Sequence, residues 1–173
     1  MSKKKKKKSQ DSTPLLRFLF VVYVALLLWL LFDRPIARDP VFDYAQMLRG
    51  NMNLVPFHTI GNYWKVVTRW EFTPLFYHCV INLGGNLFLF IPIGFFLPRL
   101  WPFLRNFFSF LLTCTLAITL VELLQLVTLL GSLDIDDLIL NTLGYVTGYL
   151  IFLAVRGIKN LIKNRKARKK ASV

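Results

Sequence analysis

The sequence predicts an all-α fold, a polytopic membrane bundle of four transmembrane helices with an amphipathic helix and a long loop on the outer side. Three observations predict it. Apolar residues make up 55% of the 173-residue chain and gather in four blocks instead of spreading as in a soluble core. Each block is long enough to cross ~30 Å of hydrocarbon as a helix, the local form that satisfies its own backbone in lipid. The alternating pattern of a membrane barrel is absent. Basic residues cluster near both chain ends, at Lys3–Lys8 and at Arg156, Lys159, Lys163, Arg165, Lys166, Arg168, Lys169 and Lys170. An even number of spans puts both tails on one face, and the positive-inside rule makes that face cytoplasmic.

Residues 1–13 read as a polar, Lys-rich tail without the apolar content to fold. The membrane domain follows at 14–156. Its first span, Pro14–Phe32, resembles a secretory signal only in its basic lead. It is too long for such a signal, and its exit, Phe32-Asp33-Arg34-Pro35, offers no cleavage site, so it reads as an uncleaved anchor. The connection Asp33–His78 would lie outside. Within it Asp39 and Pro40 read as a helix N-cap and first residue. Val41, Tyr44, Ala45 and Leu48 follow helical spacing, and Gly50 ends the run. The stretch Tyr63–Tyr77, with Trp64, Trp70, Phe72, Phe76 and Tyr77, suits the headgroup level of a bilayer, as do Trp29 and Trp101 at span ends.

The second span is read at Cys79–Leu97, the third at Phe107–Leu130 and the fourth at Leu138–Val155. Pro98–Arg105 forms an inner turn with two arginines, and Gly131–Asp137 an outer turn with three acids. Residues 157–173 are a basic tail able to continue the last helix. Pro92 cannot donate to the carbonyl of Phe88, and with Gly94 nearby the second span should kink there. Cys79 and Cys114 lie in apolar surroundings and read as buried small hydrophobes.

Function is signalled by polar groups inside the spans. Glu122 lies within an apolar run, where an ionisable side chain costs a few kcal/mol and marks a site by default. Gln125 is three residues on, on the same helix face. Asn82 and Asn86 share a face of the second span. Asp137, Asn141, Gly144 and Gly148 share a face of the fourth, the two glycines in a small-xxx-small packing pattern. Counting 1.5 Å per residue from the outer ends, Asn86 lies ~10 Å deep, Glu122 ~12 Å and Asn141 ~6 Å. Asn82, Asn86, Glu122, Gln125, Asp134, Asp137 and Asn141 are therefore expected to form a polar, ligand-binding pocket open to the outer leaflet.

The net charge of +13 suggests nucleic acid, but it sits in tails that flank spans, so anionic lipid is the expected contact of both tails. Asp134-x-Asp136-Asp137 lacks the spacing of a calcium loop, and no cofactor or metal is implied. His58 and His78 are the only histidines and stand by no obvious nucleophile. No catalytic set is assigned; Glu122 with Asp137 acting as acid and base on a lipid headgroup is the enzymatic alternative. A small transporter or channel subunit is a further alternative, disfavoured by the apolar inner halves of the spans.

In order and spacing these residues resemble the VanZ-like family of small bacterial membrane proteins. The resemblance covers about Asn53 to Tyr149. It runs through Asn53-Leu54-Val55-Pro56-Phe57-His58-Thr59-Ile60, Asn82-Leu83-Gly84-Gly85-Asn86, Phe90-x-Pro92-x-Gly94 and Glu122-x-x-Gln125. It closes with Asp134-x-Asp136-Asp137-x-x-x-Asn141-x-x-Gly144-x-x-x-Gly148. The family is named for an accessory protein of glycopeptide resistance that lowers sensitivity to teicoplanin, a lipid-tailed antibiotic. The resemblance implies a setting, a multi-pass protein of the bacterial cell membrane linked to glycopeptide resistance, and not a reaction. Joined to the polar cluster, it leads to the expectation of a protein that binds or shields a lipid-linked envelope component, a lipid-linked precursor or the lipoglycopeptide itself. Members often carry an arginine just before the acidic turn, where this chain has Gly131-Ser132-Leu133. A phosphate-binding role for that turn is thereby not carried over.

Overall fold

A computed structural model of the chain describes residues 14–33 and 41–171. Helix α1 is Pro14–Phe32, in the position expected of the first span. The segment that follows differs from the sequence reading. Asp39 and Pro40 lie outside the described residues, and Val41 precedes the surface helix. That helix, α2, is Tyr44–Gly50 and is started by Asp43, whose side chain accepts from the Gln46 amide while Gln46 returns a bond to the Asp43 amide. This reciprocal capping is a stronger start signal than a lone Asp-Pro. A second helix, α3 (His58–Val67), was not expected. Between them Met52–Asn53 (β1) pairs in parallel with Leu133–Asp134 (β2), Met52 opposite Leu133 and Asn53 opposite Asp134.

The second span is two helices, α4 (Pro74–Phe88) and α5 (Ile91–Leu100). Thr73 caps α4 and Pro74 follows as its first residue, so the helix begins five residues before Cys79. The break at Leu89 and Phe90 is the kink expected ahead of Pro92. The carbonyl that takes an outside partner is Leu89, one residue past the expected Phe88, and the Tyr23 hydroxyl of α1 donates to it. A 3-10 turn, Pro102–Arg105, leads to α6 (Phe107–Thr128), which is capped by Asn106 and stopped by Leu129 in the left-handed region. The last helix, α7, runs unbroken over Ile135–Ala171. It starts earlier than Leu138 because Asp136 and Asp137 suit a helix N-terminus. At 37 residues it is ~55 Å long, well beyond the ~30 Å of a bilayer core, so its basic turns project from the membrane.

Four segments are long and apolar enough to span a membrane: Pro14–Phe32, Pro74–Leu100, Phe107–Thr128 and Ile135–Lys169. Their directions follow from side-chain contacts. Phe20 of α1 meets Phe96 and Trp101, while Leu31 at the other end meets Gln125 of α6. Phe110 of α6 stacks on Tyr149 of α7, and Thr115 bonds Tyr145. The spans therefore alternate in direction, and Pro14 and the end of α7 fall at one end of the bundle. That basic end lies opposite an acidic end built from the β1–β2 pair and helices α2 and α3.

The tightest seam joins α5 and α7, which run parallel. A Cβ added at Gly94 would lie 2.7 Å from the Tyr145 carbonyl carbon and the Tyr149 nitrogen. One added at Gly148 would lie 2.9 Å from the Ile91 carbonyl carbon and the Phe95 nitrogen. Only glycine lets these backbones meet so closely, and close approach is what holds helices together in lipid, where apolar burial gives no net drive. Leu27, Leu31, Phe90, Phe110, Cys114, Ile118, Tyr145 and Tyr149 pack around the seam. Cys79 and Cys114 are free and buried, as their setting predicts.

Candidate functional site

The three acids of the turn that leads into α7 part company. Asp134 accepts from the Thr59 hydroxyl at 2.6 Å and from the Asn53 side-chain amide at 3.2 Å. Asp136 is fully buried and accepts from the backbone amides of Phe57 at 2.5 Å and Ile60 at 3.0 Å. Helix α3 has no side-chain cap of its own, and its N-cap residue, Phe57, sits at φ 64°. Asp136 supplies the missing cap from 79 residues away. A carboxylate on those orphan amides suits the positive pole of the helix. Asp134 and Asp136 thus clamp the outer segment to the start of α7. Asn53 and Thr59, to which the sequence reading gave no role, are their partners.

Asp137 faces the other way, into the bundle. The Asn86 side-chain amide of α4 donates to its carboxylate in a short bond. Asn82 stands one turn from Asn86, toward the start of α4. Its Oδ1 is buried and has no hydrogen-bond partner among the described residues. The same holds for Oδ1 of Asn141, one turn below Asp137 and 1% exposed. Glu122 and Gln125 are buried too. Gln125 donates to the Leu31 carbonyl of α1 at 2.8 Å, capping that helix from outside. Seven residues from Thr115 lead to Glu122, and seven back from Tyr145 lead to Leu138. Because α6 and α7 are antiparallel, Glu122 stands level with Asp137 and Asn141.

Three helices, α4, α6 and α7, therefore deliver polar side chains to one level at the acidic end. The structure brings Asn86 to Asp137, commits Gln125 to α1 and commits Asp134 to the outer segment. The group is rich in acceptors: two unpartnered amide oxygens and the carboxylates of Glu122 and Asp137. Every lysine and arginine of α5, the 3-10 turn and α7 stands at the opposite end. His58 contacts Asn62 and His78 contacts Tyr63, both at exposed sites, and neither joins the group. Among the described residues no cluster of three or more His, Cys, Asp or Glu is arranged to hold a metal ion.

The family model described as VanZ/LLP1 matches residues 20–156, from the first span to the last turn of α7 inside the membrane. The chain belongs to the VanZ/LLP1 family. A relative named Protein VanZ, from Enterococcus faecium, is 28% identical over 151 residues, which cover 87% of this chain and 78% of the relative. No solved structure matches the chain. With its four apolar spans and its family, the chain is a VanZ-type multi-pass membrane protein. The VanZ/LLP1 match takes in the Asn86–Asp137 pair, Glu122, Asn141 and the glycine seam together.

Proposed function

We propose that the acceptor-rich group at the acidic end binds the polar head of a lipid-linked cell-envelope component in the outer leaflet, and that this is how the protein shields its target from a lipoglycopeptide. Both termini lie in the cytoplasm of a bacterial cell on this reading. The charge asymmetry supports that orientation, since the basic tails flank spans that enter and leave at one end.

The observation that carries the proposal is the pair of buried, unpartnered amide oxygens of Asn82 and Asn141. An acceptor buried without a donor costs about 1–3 kcal/mol, and native proteins rarely tolerate it without a use. Acceptors beside carboxylates favour a head that offers donors, such as sugar hydroxyls or amide N–H groups. They disfavour a phosphate, which would face Glu122 and Asp137 with no lysine or arginine on α4, α6 or the first turns of α7. The missing arginine before the acidic turn points the same way. Relief from teicoplanin fits this setting, because the relative that matches bears the name VanZ.

The test is teicoplanin susceptibility of a sensitive bacterium expressing this chain, alongside native mass spectrometry of the purified protein for retained lipid-linked glycan. Asn82→Leu and Asn141→Leu should abolish both protection and retention while membrane levels stay normal. Gln125→Leu, which only uncaps α1, should lower stability and leave retention per folded molecule unchanged. Retained glycan equal to wild type in Asn82→Leu/Asn141→Leu would refute the reading. The acid–base alternative separates cleanly: it requires Glu122→Gln to keep the bound lipid and lose its conversion.

A further inference from the structure

The opposite end of the bundle holds a cleft of about 280 Å³ whose walls include Arg99, Arg105, Arg156 and Lys159. Nineteen residues of α7 separate Asp137 from Arg156, ~28 Å of helix, so the cleft lies about one bilayer core away from the polar group described above. Four cations converge there without an acid in the segments that build it. The sequence has no Asp or Glu between Glu71 and Glu122 and none after Asp137. Four like charges brought together repel, and an anion seated among them would relieve that repulsion.

The cations are held in place. The Arg99 guanidinium lies 5.0 Å from the Phe95 ring centroid, and its Nε is buried with no hydrogen-bond partner among the described residues. Arg105 donates through Nε to the Pro98 carbonyl at 3.1 Å, and its own carbonyl accepts from the Tyr149 hydroxyl at 2.6 Å. Arg156 and Lys159 come from exposed positions on the first turns of α7 that leave the membrane. Phe152 and Val155 supply an apolar wall beside them.

We infer that this cleft binds a phosphate-bearing anion, and that its source is the headgroup of an anionic phospholipid in the leaflet at the basic end. Guanidinium forks match phosphate oxygens two at a time, which a carboxylate-sized ligand uses less fully. The volume sits at the lower end for small-ligand sites, enough for a headgroup and not for a whole lipid. The interfacial depth selects a lipid over a soluble phosphate, because the cleft lies where α7 leaves the hydrocarbon and a headgroup bound there keeps its acyl chains in the bilayer. The site is distinct from diffuse attraction of the basic tail, which needs no cleft.

The experiment uses the full chain in neutral detergent at physiological salt. Its thermal stability and its retained lipid by native mass spectrometry are followed on titration with short-chain phosphatidylglycerol, with phosphatidylcholine and with inorganic phosphate. One phosphatidylglycerol should saturate per protein, with phosphatidylcholine and inorganic phosphate ineffective at the same concentration. Arg156→Gln/Lys159→Gln removes two exposed cations that folding does not use, and should weaken the apparent affinity about thirtyfold, at roughly fivefold per cation. Lys166→Gln/Arg168→Gln removes the same charge ~14 Å farther along α7, beyond a Debye length, and should change it less than about twofold. Equal losses in the two double variants would reduce the effect to tail electrostatics and overturn the site. Equal saturation by inorganic phosphate would overturn its lipid source.

Discussion

Gly148→Ala adds one methyl group where α7 crosses α5, and the structure sets its consequence. The new Cβ would lie 2.9 Å from the Ile91 carbonyl carbon and the Phe95 nitrogen, and closer still to the Ile91 oxygen. All three are backbone atoms, so no side chain can rotate away. The two helices must part by on the order of 1 Å, and a gap of that size forfeits a quarter to a half of each dispersion contact along the seam. Overpacking of this kind costs about 1–3 kcal/mol, and in lipid no hydrophobic drive compensates. For a chain of this length ~2 kcal/mol lowers the melting temperature by roughly 4–8 °C. Gly157→Ala is the matched control, since that glycine is helical with nothing within 4 Å of an added Cβ. Helix propensity alone should stabilise it by about 0.5–1 kcal/mol. Thermal unfolding of both variants in one detergent, followed by scattering and by circular dichroism, measures the difference in sign. A Gly148→Ala protein as stable as wild type, or a Gly157→Ala protein that falls as far, would refute the close-packed seam.

Asp136→Ala strips the cap from α3, so it should cost about 1–2 kcal/mol; limited proteolysis should then cut between residues 53 and 67 much faster than in wild type while the spans stay protected. The Asn86–Asp137 bond should show a coupling of ~0.6 kcal/mol and at most ~1.7 in a double-mutant cycle with Asn86→Ala and Asp137→Ala, read by unfolding in mixed micelles; zero coupling would contradict the pairing. Tyr23→Phe should destabilise by about 1 kcal/mol because the Leu89 carbonyl at the break loses its donor, and the penalty should shrink in a Pro92→Ala background, where the helix can reclose. Cys79 and Cys114 should resist a maleimide in the native protein and label fully once it is unfolded, as their burial requires.

Much of this architecture is legible in the sequence because lipid imposes a simple rule. A span must be helical and apolar, and α1 and α6 lie where composition puts them. Errors fall where polarity and helicity diverge. Composition excludes Pro74–His78 from the second span, yet Thr73 and Pro74 form a strong helix start. It excludes Ile135, Asp136 and Asp137 from the fourth span, although acids belong at that pole of a helix. The Pro92 kink is visible because proline acts on its own backbone. The capping of α3 by Asp136 is invisible, because Asp136 lies 76 and 79 residues from its partners and no local pattern records the meeting. The same holds for Gln125, whose spacing with Glu122 does not announce its bond to the Leu31 carbonyl of α1.

The division of labour among the polar residues narrows what each end of the bundle can do. Asp134 and Asp136 are taken up by the outer segment, Gln125 by α1, and Asn86 by Asp137. Among the described residues, amide oxygens without a donor are left at one end, in Asn82 and Asn141, and a cluster of cations at the other. A rigid glycine seam holds the two ends about one bilayer apart. A donor-rich head and an anionic head are recognised by opposite chemistry, so neither site can substitute for the other. If the acidic end meets an envelope component and the basic end a phospholipid, the second interaction seats the bundle at a defined depth. Depth decides whether Asn82 and Asn141 stand at headgroup level or below it. Removing Arg156 and Lys159 should therefore leave the acceptor site chemically intact and still lower its occupancy in a bilayer, an effect that detergent would abolish.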